Sequence, residues 1–520
     1  MSSVVHFSNG WRIRFAFYCV LLSVSLPAVS LPLRARLILS SQSERLASQS
    51  ASTSDAFQDG LAALKDNRPA DALTYLTAAE QQHPEDPRVH NFRGIALAQL
   101  GHTSEAAAEY ESAVRLDPKM ADAYRNLGFL NWNVRKLDAA RQNLEQATTL
   151  APADQFAHYY LGRVLLDQRK FAPAIKELEV SRTALPDDPG FSLQLAGAYV
   201  AVQRTQGAIA LLDRVATLSL TPPQRFDLAL SYLLTGRYED SIAQARNYLA
   251  AAPSNDSDFA AAAQAWSLIG ISAAHTSETQ RSVDALRKAA SLQPGNEELW
   301  LNLTRELMEL SRFPEAVAAA QEALAALPNS YALHLRLGAA QLAAGHYAEA
   351  ENAFRDLVTA GDPLPTGYVG LAQVLLRTGR ADEAIVLLTD ARQKIAESFL
   401  IDYFLGLAFE RAAKPSEALQ AFQNAEKLNH ENAEIHISVG KAQLVLTHTE
   451  DAIAEFQLAL RLAPGNVQAA RLLTRASRRA GKPTDASSAA DPLTATPDDQ
   501  PRDLVGDFFV PHRQDASPTP

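Results

Sequence analysis

Cysteine is all but missing. Cys19 is the single one in 520 residues, so no disulfide can form within the chain, and stability has to come from packing alone. Long apolar runs are scarce too. The most apolar stretch, Phe15 to Val29, falls short of the roughly 20 residues a spanning helix needs, and Pro27 and Pro32 interrupt it. Strand formers never gather into short alternating runs bounded by turns, and aromatics make up only 7 % of a chain dominated by alanine and leucine. A sheet-based core is thereby excluded and an all-helical fold expected. Excess positive charge is also lacking. The formal balance is −11, or about −13 without residues 1–30, which hold Arg12 and Arg14 and no acid. General nucleic-acid binding needs a basic face to displace counterions, and this composition argues against it.

Catalytic signatures are equally absent. The chain has no His-Glu-x-x-His, no paired Cys-x-x-Cys, no nucleotide-cradling glycine loop and no nucleophile elbow, and Ala480-Gly481-Lys482-Pro483-Thr484 lacks the upstream glycine and strand of a phosphate loop. Histidines such as His83, His90, His102 and His158 fall at helix ends or turns and read as solvated surface. The acid pairs Asp187-Asp188 and Asp498-Asp499 sit in connections, where nothing excludes water or shifts their pKa. The expectation is a protein without catalytic residues, cofactor or metal.

What is present begins with the N-terminus. Arg12 and Arg14, the acid-free apolar stretch and the small-residue pattern Ala28-Val29-Ser30 read as a Sec-type signal peptide over 1–30, cleaved after Ser30. The alternative is an uncleaved anchor, helped by Leu37-Ile38-Leu39, and membrane contact is expected only in that case. Cys19 lacks the small and aliphatic residues of a lipoprotein box. Residues 31–52 suit a flexible spacer. An exported, periplasmic or envelope-associated protein is expected.

The body of the chain is periodic. Prolines stand at Pro84, Pro118, Pro152 and Pro186, and again at Pro294, Pro328 and Pro464, at gaps of 34 residues or multiples of 34 within each set. Gly60, Gly94, Gly128 and Gly162 are each followed twelve residues later by Ala72, Ala106, Ala140 and Ala174, and Gly338, Gly406 and Gly440 repeat the relation with Ala350, Ala418 and Ala452. Small residues so paired allow two antiparallel helices to approach closely, with bulky Leu127, Tyr232, Tyr238, Phe354, Phe422 and Phe456 filling the space beside them. The prolines open the turn after the second helix. Gly101, Gly236, Gly345 and Gly379 mark the turns within pairs.

Residues 297–330 carry Trp300, Leu303, Ala316, Ala323 and Pro328, and residues 222–255 carry Tyr232, Gly236, Tyr238 and Pro253, in the places where the tetratricopeptide repeat has its signature residues. The chain resembles that family from about 53 to 466. The resemblance implies an all-α, right-handed superhelical solenoid of about twelve 34-residue helix-turn-helix repeats. Units 1–5 are expected over 53–221, unit 6 with an insertion over 222–262, and units 7–12 over 263–466. A capping helix over 467–481 and a disordered Pro/Asp/Ser/Thr-rich tail over 482–520 follow, the tail carrying an apolar Leu504-Val505 and Phe508-Phe509-Val510. Departures are local. Ala196 replaces a glycine, Pro222 and Pro223 come two residues late, seven extra residues surround Ser254–Asp258, and Asp362, Ala396 and His430 replace terminal prolines. A change of register is expected near 216–262.

In this family the first helix of each pair lines the concave face, so its non-core positions are the implied binding surface for a protein or peptide partner. The period places Asn91, Phe92, Ile95, Arg125, Asn126, Phe129, Trp132, Asn133, Tyr159, Tyr160 and Arg163 there in units two to four. Rings offer rigid area while Asn and Arg bond backbone or carboxylate. The alternative is that Trp132 and Phe129 pack between helices. A second stretch, Asn302, Arg305, Arg336, Arg377, Arg411 and Lys441, mixed with Glu298, Glu309 and Glu410, forms a cationic stripe suited to an acidic peptide or a C-terminal carboxylate, or else an ordinary solvated helix face. Asparagine recurs at one inner position only as Asn126 and Asn302, so the asparagine ladder of the O-linked N-acetylglucosamine transferase superhelix is missing.

Overall fold

The computed structural model describes residues 55–182, 188–251, 259–360, 364–395 and 397–481. The expected signal peptide, the spacer, the tail and the centre of the insertion lie outside the described residues. Among those described there are twenty-five α-helices and no strand. The chain divides into two compact units, Met1–Ala252 and Pro253–Pro520.

The first unit holds six helix pairs: α1 (Asp55–Lys65) and α2 (Pro69–Gln82), α3 (Pro87–Gln99) and α4 (Thr103–Leu116), α5 (Ala121–Asn133) and α6 (Leu137–Leu150), α7 (Gln155–Asp167) and α8 (Phe171–Ser181), α9 (Pro189–Ala201) and α10 (Thr205–Ala216), α11 (Pro222–Leu234) and α12 (Tyr238–Ala251). The second holds α13 (Phe259–His275) and α14 (Thr279–Leu292), α15 (Glu297–Glu309) and α16 (Phe313–Ala326), α17 (Tyr331–Ala343) and α18 (Tyr347–Thr359), α19 (Pro365–Arg377) and α20 (Ala381–Lys394), α21 (Phe399–Arg411) and α22 (Pro415–Leu428), α23 (Ala433–Val445) and α24 (Thr449–Leu462), and a last helix α25 (Val467–Arg479). Within each unit every helix packs on its neighbours in sequence, and successive first helices also touch one another. One face of each unit is therefore made of first helices lying side by side.

The helix boundaries have local causes. Six first helices open on a side-chain cap in which an Asp, Asn or Ser oxygen accepts a backbone N–H, at Asp86, Asp154, Asp188, Asn296, Ser330 and Asn432. First helices close on a left-handed residue, one per pair. Gly101, Gly236, Gly345 and Gly379 hold that position with φ between 78° and 84°, and Asn67, Arg135, Arg169, Gln203, Ser277, Ser311, Ala413 and Thr447 hold it elsewhere. The following N–H then reaches back five residues, as from His102 to Leu97 O at 2.9 Å and from His448 to Gln443 O at 2.8 Å. That bond satisfies a carbonyl the ended helix would leave orphaned.

The close approach of paired helices is real, but the partner of each glycine differs from the one its spacing suggests. A methyl group placed on Gly94, Gly128, Gly338, Gly406 or Gly440 would lie 2.5–2.8 Å from the side chain sixteen residues on: Tyr110, Leu144, Phe354, Phe422 and Phe456 respectively. The alanine twelve residues on contributes its carbonyl oxygen, 3.2 Å away for Gly128 and Ala140. Those alanines are all fully or almost fully buried. Each glycine is thus a socket for one bulky side chain, and α25 closes the row by laying Ala469, Leu472 and Ala476 on the core around Ile453, Phe456 and Ala459. Its Arg471, Arg475, Arg478 and Arg479 stay exposed.

Among the left-handed turn residues Thr447 is β-branched, at φ 68°, where a branched Cβ crowds the backbone. Thr447→Asn is expected to raise the unfolding free energy by about 0.5–1 kcal/mol, because asparagine tolerates this conformation at less cost. Denaturant melts of the two proteins check it, and a loss of stability would show the turn to be unstrained.

Candidate peptide-binding faces

On the first unit the residues singled out by their period are largely consumed by the repeats themselves. Asn91, Phe92, Arg125, Asn126, Trp132, Tyr160 and Arg163 are between 1 % and 8 % exposed. Asn126 Nδ2 donates to Asn91 Oδ1 at 2.9 Å, tying α5 to α3. Arg125 pairs with Asp154 at the start of α7 and with Asp122 at 3.1 Å. Burial works against its charge, but Asp122 and Asp154 outweigh that and hold the guanidinium above its ordinary pKa. Trp132 Nε1 donates to Asp167 Oδ2 at 2.7 Å. Its ring carries the Arg163 guanidinium 5.1 Å above it, and Arg163 Nη1 donates to the Tyr159 hydroxyl at 2.9 Å. Phe129 and Tyr160 stack at 4.8 Å between ring centres, so Phe129 and Trp132 pack between adjacent first helices. Phe129 and Tyr159 are half-buried and Asn133 is exposed. Asn91 Nδ2 and Asn126 Oδ1 are buried and make no hydrogen bond.

The second unit presents its residues differently. Asn302, Arg305 and Arg336 are half-buried on the first-helix face. Arg305 Nη2 donates to Asn302 Oδ1 at 2.7 Å, and its Nε lies 4.0 Å from Glu309 Oε1. Arg336 comes from the next repeat. Burial first, then the charge of Arg305, pushes its pKa down to about 10, and Glu309 opposes the shift. Burial also holds the Glu298 carboxyl above its ordinary value, against the attraction of Arg305. Two guanidiniums from successive repeats thus lie near enough to feel each other's charge, with Glu298 acting on Arg305 and Glu309 on Arg336 as nearby carboxylates. The rest of the expected stripe is less coherent: Arg377 and Arg411 are exposed at helix ends, and Lys441 pairs with Glu410 at 3.1 Å.

These repeats are recognisable beyond their geometry. The sequence pattern of the tetratricopeptide repeat matches residues 57–121, 94–133, 125–189, 193–256, 226–297, 301–365, 340–398 and 403–467. The chain belongs to the tetratricopeptide repeat family. This tetratricopeptide chain is 22 % identical over 47 % of its length to the peroxisomal targeting signal receptor of Kluyveromyces lactis, and 25 % identical over 73 % of its length to the cellulose synthase 2 operon protein C of Komagataeibacter xylinus. It spans 43 % and 28 % of those two proteins. Among solved structures it is similar to yeast Tom70, with 13 % identity, a TM-score of 0.40 and coverage of 85 % of this chain and 96 % of that one. It is also similar to pilF of Pseudomonas aeruginosa, with 20 % identity, a TM-score of 0.35 and coverage of 38 % and 91 %.

The histidines correct the sequence expectation. His83 and His102 are exposed, but His90 and His436 are buried and His158 is half-buried. Each of these three stands at the fourth position of a first helix. Its Nε2 bonds the carbonyl oxygen six residues before, at 2.9–3.1 Å, and its Nδ1 faces a glutamate nineteen residues on: Glu109, Glu177 or Glu455. Trp300 and His334 make the same bond to Pro294 O and Pro328 O. The signal was legible as a four-fold recurrence of histidine in one register, yet a helix-end position hid it. For His436 the hydrogen bond to Glu455 outweighs burial and raises the pKa, whereas burial and Glu455 raise that of Glu426.

Arg125 offers a direct test of an interior role. Asp154→Asn keeps the cap on α7 but removes the charge opposite Arg125, and is expected to cost about 3 kcal/mol of unfolding free energy by leaving a buried cation under-compensated. An unchanged denaturation midpoint would place Arg125 outside the stabilising contacts of the unit.

Proposed function

We propose that this tetratricopeptide protein is a non-catalytic scaffold of the cell envelope, binding an acidic segment of a partner protein on the first-helix face of its second unit. The observation that carries the proposal is a set of half-buried polar side chains on the first-helix face, Asn302, Arg305 and Arg336, in which Arg305 donates to Asn302 Oδ1 at 2.7 Å and the charge of Arg305 reaches Arg336 from the neighbouring repeat. A like-charged pair brought together by folding is disfavoured unless something else gains from it. A carboxylate arriving there relieves the repulsion and accepts two-pronged hydrogen bonds from planar guanidiniums. The first unit, with its aromatic and Asn/Arg positions turned inward, supplies rigidity. Placement in the envelope draws on the signal-peptide-like residues 1–30.

A second possibility has its own observation. The likeness to the cellulose synthase 2 operon protein C, over 73 % of this chain, favours an accessory subunit of a polysaccharide or glycan-processing enzyme complex. In that case the partner seated on the second unit is an enzyme subunit or its glycan.

Affinity purification from the source cell envelope separates these outcomes. Wild type is compared with Arg305→Glu/Arg336→Glu and with Asn126→Ala/Tyr160→Ala/Arg163→Ala, and captured partners are quantified by mass spectrometry. The charge-reversed protein is expected to lose its main partner at least tenfold while melting as wild type does. The first-unit variant is expected to melt earlier and to keep the partner at temperatures where it is folded. An undiminished partner on the charge-reversed protein would refute the site. Co-purification of a glycan-processing enzyme would select the second possibility.

A further inference from the structure

Three inter-repeat histidines differ in what surrounds them, and the difference is one of charge. At His158 the imidazole faces one carboxylate, Glu177, and the position of a second acid, ten residues before the histidine, is Thr148. At His90 there are two acids, Glu109 at 2.8 Å and Glu80 at 4.0 Å from Nδ1. Here Arg93, three residues on, pairs with both Glu80 and Glu109 and supplies the extra positive charge. At His436 there are again two acids, Glu455 at 2.8 Å and Glu426 at 3.6 Å, but the residue three positions on is Val439. Lys427 on the same helix as Glu426 is exposed and turned to Asn424 Oδ1 at 3.5 Å. Two of the three clusters balance their charge if the histidine is protonated. Among the described residues the third has no buried cation to offset its second carboxylate, only the charge of the exposed Lys427 reaching Glu426, and His436 is 1 % exposed.

We propose that Glu426, His436 and Glu455 form a binding site for a divalent cation of the zinc class. The donor geometry suits it. His436 Nε2 donates to His430 O at 2.9 Å, so an ion that displaces the Nδ1 proton, now shared with Glu455, would meet a lone pair aimed between the two carboxylates, the usual orientation of a metal-ligating imidazole. The three donor atoms lie within 4.8 Å of one another. Tetrahedral ligands about 2.1 Å from zinc are about 3.4 Å apart, so small rotations of Glu426 and Glu455 suffice. One imidazole and two carboxylates favour zinc, cobalt or manganese over calcium or magnesium, which prefer all-oxygen shells. The carboxylates are 27 % and 19 % exposed, and from that side water completes the coordination. The ion would join α22, α23 and α24, the last two repeats before α25. The cluster at His90 meets the same spacing, but there Arg93 already pairs with both carboxylates and competes with an ion for them.

The test is calorimetric titration of Zn²⁺ into the chelator-stripped full-length chain, with circular dichroism to verify folding. Wild type and Glu80→Gln are expected to bind one equivalent, and Zn²⁺ is expected to raise their melting temperature. Glu455→Gln and Glu426→Gln, both at partly exposed positions, are expected to bind at least tenfold more weakly while keeping wild-type helix content. His436→Gln, if folded, is expected to lose the binding altogether. No saturable binding by wild type, or equal affinity in Glu455→Gln and Glu426→Gln, would overturn the proposal.

Discussion

The repeat depends on one contact: a small residue in each first helix, glycine in eight of the twelve, faces the side chain sixteen residues on. The sizes at these two positions are matched along the chain. Phenylalanine or tyrosine at the second position always meets glycine at the first, as in Gly94 with Tyr110 or Gly406 with Phe422. Where the first position is Ala196 or Ala372 the second is Leu212 or Leu388, and Thr304 has Ala320. All of these are fully or almost fully buried. Cores at crystal-like density tolerate little change in summed volume, which accounts for the compensation. Gly370 extends it between repeats, since Phe354 lies between Gly338 and Gly370 and a methyl group on Gly370 would stand 2.4 Å from its ring.

Because pairing is local, the two units are free to use their first-helix faces differently. In the first unit rings and guanidiniums from α3, α5 and α7 close on one another, and Arg125 and Trp132 find their acids on the next repeat. In the second, Arg305 and Arg336 are half-buried on that face, and Arg305 donates to Asn302 while its charge reaches Arg336 across the repeat boundary. The fourth position of the first helices carries a further layer of specificity. A ring nitrogen there closes the preceding turn, and a glutamate on the second helix fixes the other nitrogen. Each such residue joins three helices, so it sets how one repeat leans on the next.

Much of this was legible in the sequence. The 34-residue spacing of prolines and glycines located the pairs and the turns, because those residues answer to local backbone demands that leave a mark at a fixed position. The helix face was legible too, but the burial of its members was not. Positions that face a groove in one repeat also touch the neighbouring first helix, and whether Trp132 meets a ligand or Asp167 depends on a residue 35 positions away. Likewise the glycine's partner was misassigned by four residues, one helical turn, since a side chain from the next turn reaches into the gap that the alanine leaves. The histidine clusters were legible only in part: the histidines recur in one register, but Glu426, His436 and Glu455 come from three helices and gain meaning only once these are packed.

The contact that organises the fold is measured most directly by a double-mutant cycle at Gly406 and Phe422. Gly406→Ala alone is expected to destabilise by about 1–3 kcal/mol through overpacking. With Phe422→Leu, which recreates the Ala–Leu combination of two other pairs, the combined cost is expected to fall short of the sum by at least about 1 kcal/mol. Additivity to within about 0.5 kcal/mol would mean that the two residues do not meet in the way described, and would contradict the account.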